Sequence, residues 1–180
     1  MNGEFGLLLL RLVVGGLLIG HGGQKLFGWF GGYGFAGTSL FMGNALRLRP
    51  AKFWTALAGL SEFGGGLLLA IGLLSPLGAL GILAAMLTAI ALTHWPRIWA
   101  SDNGMEYPLV VVSVAAAVGI AGPGTFSLDW LLRIALPAPL TFIVGLGAVL
   151  VGVIAALATR VPEVTQADEA IDELTLPRAA

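Results

Sequence analysis

Apolar residues fall in five runs along the chain, at residues 5–20, 53–74, 77–95, 107–121 and 140–159. The first continues to residue 30 with His21, Gln24 and Lys25 as polar interruptions. Runs of roughly 20 apolar residues match a bilayer hydrocarbon core of about 30 Å. None shows the short alternating segments of a barrel, and backbone groups in hydrocarbon must be satisfied inside their own segment, so each run is predicted to be a helix. The fourth is short for a span and stops at Gly122, Pro123 and Gly124, so it crosses only with flanking residues or local thinning. Only Ser75 and Pro76 part the second run from the third, which predicts a tight helical hairpin. In the connector after the first run, the apolar stretch from Thr38 to Leu48 predicts a short interfacial helix. The expected fold is an all-α, multi-pass membrane bundle: a four-helix core over residues 1–133, an added transmembrane helix over 134–160, and an acidic, solvent-exposed tail over 161–180.

Composition supports this pattern: 57% of residues are hydrophobic and 11% charged, against roughly 45–50% and 25% in soluble domains. The net charge of -1 leaves no basic surface for a nucleic-acid backbone. The absence of Cys removes disulfide exchange and thiolate chemistry. Arg11 inside the first run and Glu4 before it do not make a secretory leader, so cleavage is not expected. The glycine-rich stretch 31–37 lacks the Gly-Lys-Ser/Thr ending of a phosphate loop. Most of the 27 glycines read as packing residues that let helices approach closely in lipid.

With five alternating helices, Lys25, Arg47, Arg49, Lys52, Arg97, Arg160 and Arg178 share one face, and Arg11 and Arg133 the other. The positive-inside rule then predicts an external amino terminus and a cytoplasmic tail. Trp29, Trp54, Trp95 and Trp99 fall near span ends on the basic face and Trp130 on the other, where aromatic rings anchor at membrane interfaces.

Ionisable groups inside spans are costly and mark candidate sites. His21, Gln24 and Lys25 share one surface of the first helix. Glu62 lies about 13 Å into the second, counted from Phe53. His94 closes the third, while Asn103, Glu106 and Tyr107 open the fourth from the same face. These eight side chains are expected to converge in one half of the membrane. Glu62 pairs with Lys25 or His21, or is held protonated by burial. The group reads either as a polar network that fixes helix packing or as a proton-relay or head-group site. Two histidines and scattered carboxylates lack metal-ligand spacing, so no metal is expected.

The blocks HGGQKLFGWFGG from His21, SEFGGGLLLAIGLL from Ser61, NGMEYPLVVV from Asn103 and GPGTFSLD from Gly122 resemble the DoxX family, in order, over residues 7–129. The resemblance implies a small bacterial inner-membrane protein with a four-helix core, related to subunits of thiosulfate:quinone oxidoreductase and of other membrane oxidoreductase or stress-response complexes. It makes His21, Lys25, Glu62, Asn103, Glu106 and Tyr107 the motif positions. The run at 140–159 departs from that core.

The leading expectation is a membrane oxidoreductase component. His21, Lys25 and Glu62 are its candidate catalytic residues, and Gln24, His94, Asn103, Glu106 and Tyr107 hold a lipid-soluble quinone. Its partners are membrane lipids and a membrane or peripheral oxidoreductase subunit. The alternative is a noncatalytic assembly subunit. A small-solute transporter ranks third, because no inverted repeat or pair of broken helices is visible.

Overall fold

The computed structural model describes residues 2–134 and 136–162. Seven α-helices are found among them: α1 (Asn2–Phe27), α2 (Gly34–Leu40), α3 (Ala51–Ile71), α4 (Ser75–Ala89), α5 (Glu106–Ala121), α6 (Leu128–Leu131) and α7 (Ala138–Ala158). One isolated antiparallel bridge, Leu48 to Arg160, is the extended pairing among the described residues. Four helices are long and apolar enough to cross a membrane: α1, α3, α4 with its continuation to His94, and α7. The protein is an all-α, multi-pass membrane bundle. The fifth apolar helix, α5, has 16 residues, about 24 Å of rise, so its shortness persists in the fold. From Glu163 on, the expected acidic tail lies outside the described residues.

α4 sits at the centre, against α3, α5 and α7. Its Ala79, Leu80, Ile82, Leu83, Ala85 and Met86 are buried, as expected of a helix apolar on every side. Val14 and Leu18 of α1, Leu69 of α3, Val111, Ala115 and Val118 of α5, and Phe142 of α7 complete this core. The large apolar side chains left outside, such as Leu9, Leu12, Val110, Ile143 and Val151, face outward where lipid takes the place of a protein neighbour. α1 and α3 cross at glycine: a Cβ on Gly66 would lie 2.7 Å from the Gly15 carbonyl oxygen and 2.9 Å from the Ile19 nitrogen. Without a hydrophobic force between helices in lipid, such contacts supply the attraction.

The hairpin forms as expected, with its turn moved. Gly72 and Leu74 make the turn in left-handed conformations, φ 66° and 47°, and Ser75 and Pro76 begin α4. Proline suits a first helical turn, whose N–H groups have no intrahelical acceptor. The interfacial helix also forms, as α2 followed by a π-helical turn at Phe41–Ala45. At the end of the bundle, Arg49 N–H donates to Thr159 O and Val161 N–H to Arg47 O. The connector after α1 and the end of α7 therefore meet, which brings Arg47, Arg49 and Arg160 to one end, while Arg11 and Arg133 lie toward the other.

Candidate functional site

α1 and α3 run antiparallel and close together, because a Cβ at Gly59 would meet the Leu26 side chain and one at Gly22 would meet the Phe63 backbone. That approach lets Lys25, near the end of α1, reach Glu62 in α3: Nζ lies 2.5 Å from Oε2, with the lysine side chain 28% exposed and the glutamate 5%. The first turn of α5 adds Tyr107, whose ring packs on His21 with centroids 5.7 Å apart. Tyr107 also stands within electrostatic range of the Glu62 carboxylate. Lys25–Glu62 and His21–Tyr107 are thus two contacting pairs that three helices bring near each other.

The other expected members lie elsewhere. His94 donates from Nδ1 to the Asn103 carbonyl oxygen at 2.6 Å, and Asn103 takes a left-handed conformation with φ 55°. Glu106 Oε2 accepts the Ala100 N–H at 2.9 Å. These three residues tie down the loop between α4 and α5. Gln24 packs beneath Gly32, where an added Cβ would strike its backbone, and its amide makes no hydrogen bond among the described residues. The eight polar residues therefore resolve into two contacting pairs, a three-residue loop clasp and a lone glutamine.

Beside the Lys25–Glu62 pair is a cavity of about 530 Å³ between α3, α4, α7 and the connector. That volume is typical of small-molecule sites, about 300–1,000 Å³. Lys25 and Glu62 are its charged lining residues; the rest is nearly all apolar, including Met42, Leu46, Trp54, Leu80, Leu92 and Val149. Trp54 is 8% exposed, and its indole N–H has no hydrogen-bond partner among the described residues. Sequence reading treats Trp54 as an interfacial anchor, but the fold turns it inward.

A family profile for DoxX matches residues 6–95. The chain belongs to the DoxX family. No curated protein and no solved structure matches it. In this DoxX protein the match contains His21, Gln24, Lys25, Glu62 and His94, whereas Tyr107, the loop clasp's Asn103 and Glu106, and the whole of α7 lie beyond it.

A second polar centre at the opposite end of the DoxX bundle was not singled out by sequence reading. Arg11, 1% exposed, donates to Leu69 O at 3.1 Å, Ala70 O at 3.2 Å and Phe126 O at 2.9 Å, and also to Pro123 O. Asp129 accepts the N–H groups of Leu74 at 2.8 Å and Ser75 at 3.0 Å. Both side chains satisfy backbone groups that helix ends leave open. Gly72 belongs to the same knot, for a Cβ there would lie 2.5 Å from that of Ser127 and 2.7 Å from the Arg11 guanidinium. The available signal was an arginine ten residues before His21, the next polar break in the first apolar run, together with the Ser-Leu-Asp segment.

Proposed function

We propose that this DoxX protein is the membrane-embedded, quinone-binding component of an oxidoreductase. The observation that carries the reading is an apolar cavity whose charged lining is the Lys25–Glu62 pair. A lipid-soluble quinone needs an apolar slot and hydrogen-bonding groups at its ring oxygens. The Lys25 ammonium has three donors, one of which is engaged by Glu62. Another serves a ring oxygen. The Glu62 carboxylate, paired with Lys25 at the head of the slot, is the group that takes up or returns the proton at that oxygen. Two electrons and two protons separate quinone from quinol, and the electrons come from a redox-active partner subunit. Titrating a variant that keeps Trp54 and has phenylalanine at Trp29, Trp95, Trp99 and Trp130, in lipid nanodiscs, with a benzoquinone tests the reading through quenching of Trp54 fluorescence. Saturable quenching is expected, weakened at least roughly tenfold, or about 1.4 kcal/mol, in Lys25→Met. Unsaturable quenching equal with and without Lys25→Met would sink it.

The mutual neutralisation of Lys25 and Glu62 favours a second reading, a noncatalytic assembly subunit whose ion pair locks α1 to α3. The two readings part in the double-mutant experiment described below.

The distribution of basic residues supports an orientation with the amino terminus outside. The natural absence of Cys makes single-cysteine variants clean reporters. Gly3→Cys is expected to react with a membrane-impermeant maleimide in intact cells, and Ser101→Cys only after permeabilisation. The reverse pattern would invert the topology.

A further inference from the structure

α7 lies outside the matched family segment, yet it forms one wall of the cavity, through Gly145, Ala148 and Gly152 among others. The glycines at the two ends of this wall differ. A Cβ at Gly145 would overlap the Leu80 side chain, so this glycine brings α7 against α4. Two turns further on, Gly152 has nothing within 4 Å of an added Cβ although it lines the cavity. α7 is thus pinned to α4 at one point and stands away from it at the other, leaving an apolar slot continuous with the Lys25–Glu62 pair. The slot also runs beside Trp54, whose buried N–H is without a partner among the described residues.

We infer that α7 is a specificity wall: the slot at Gly152 receives the apolar tail of the quinone whose ring is held at Lys25, so the site selects tailed over tail-less quinones. The inference rests on the quinone reading and adds the tail and its wall to it. A polar pair within an otherwise apolar chamber suits an amphiphile with a small acceptor head. A head group without a tail would leave the slot unfilled and forgo the dispersion contacts that its walls offer.

Gly152→Leu tests this directly, since the added side chain enters open space and replaces glycine by a better helix former. Gly147→Leu is its control: Gly147 is on the same helix, also has nothing within 4 Å of an added Cβ, and does not line the cavity. Each variant is titrated in nanodiscs with a tail-less benzoquinone and with its decyl-tailed analogue, and each affinity is divided by the wild-type value so that membrane partitioning cancels. Gly152→Leu is expected to weaken the decyl analogue at least roughly tenfold and leave the tail-less one unchanged, while Gly147→Leu changes neither. Equal weakening of both ligands by Gly152→Leu, or no weakening of the decyl analogue, overturns the specificity wall and leaves the quinone reading standing. If wild type binds neither analogue, both fall. A co-purified phospholipid, detected by native mass spectrometry in wild type and lost in Gly152→Leu, would assign the slot to a lipid chain instead and also overturn the inference.

Discussion

Arg11→Met is expected to prevent recovery of a folded, monodisperse protein in mild detergent. The guanidinium satisfies carbonyls from the end of α3 and from the loop between α5 and α6, namely Leu69, Ala70, Pro123 and Phe126. A buried acceptor left without a donor costs about 1–3 kcal/mol. Leu69 O keeps the Gly72 N–H, but the other three acceptors together still approach the stability of a marginal domain, about 5–15 kcal/mol. Methionine fills much of the volume but donates nothing. Lysine restores charge without the planar fork that reaches several carbonyls at once, so Arg11→Lys is expected to fall between wild type and Arg11→Met. Size-exclusion profiles and thermal unfolding midpoints of the three proteins check the order. A wild-type midpoint for Arg11→Met would show that water or a rearranged loop satisfies these carbonyls as well as the arginine does.

The second large effect is expected at Lys25 and Glu62, and it separates ligand binding from assembly. Glu62→Gln leaves the ammonium without its counter-charge, and Lys25→Met leaves a carboxylate that is 5% exposed without its partner. Breaking a buried pair from one side costs about 3–5 kcal/mol; the 28% exposure of Lys25 places the loss at the lower end or below. Lys25→Met with Glu62→Leu removes both charges and is expected to regain most of the lost stability, since an apolar replacement of a buried pair is often neutral or stabilising. Quinone affinity, in contrast, is expected to stay at least roughly tenfold down in the double variant. Melting curves and titrations on wild type, Lys25→Met, Glu62→Leu and the double variant give the complete cycle. Recovery of binding together with stability would assign the pair to helix packing and favour the assembly reading.

The helices were legible because the bilayer imposes a simple rule. A run of apolar residues long enough to cross it must satisfy its own backbone, and the runs at 53–74 and 140–159 became α3 and α7 with ends shifted by a few residues. The Lys25–Glu62 pairing was legible too, since two opposite charges at matching depth in adjacent helices have strong reason to meet. The eight-residue convergence was legible only in part. Depth along a helix can be counted from sequence, but rotation about its axis and the path of a loop cannot. His94, Asn103 and Glu106 share the level of the site, yet their hydrogen bonds close on the loop that carries them.

Trp54 and Arg11 show the same limit from the other side. An indole near a span end is an interface anchor on average, but here the connector and α7 fold over it and make it a cavity wall. Arg11 looks in sequence like a charge to be counted toward one face, and only the return of residues 123–126 beside α3 reveals the acceptors that make its burial tolerable.

A mostly apolar chain with few charges could occupy only a membrane, and its sequence determined the helical class, the family blocks and which polar residues share a level. The tertiary structure decided which of those residues touch, that the extra helix walls a cavity, and that a buried arginine ties the opposite end together. These depend on helix rotation and on contacts between segments far apart in the chain, and no local pattern of residues encodes either.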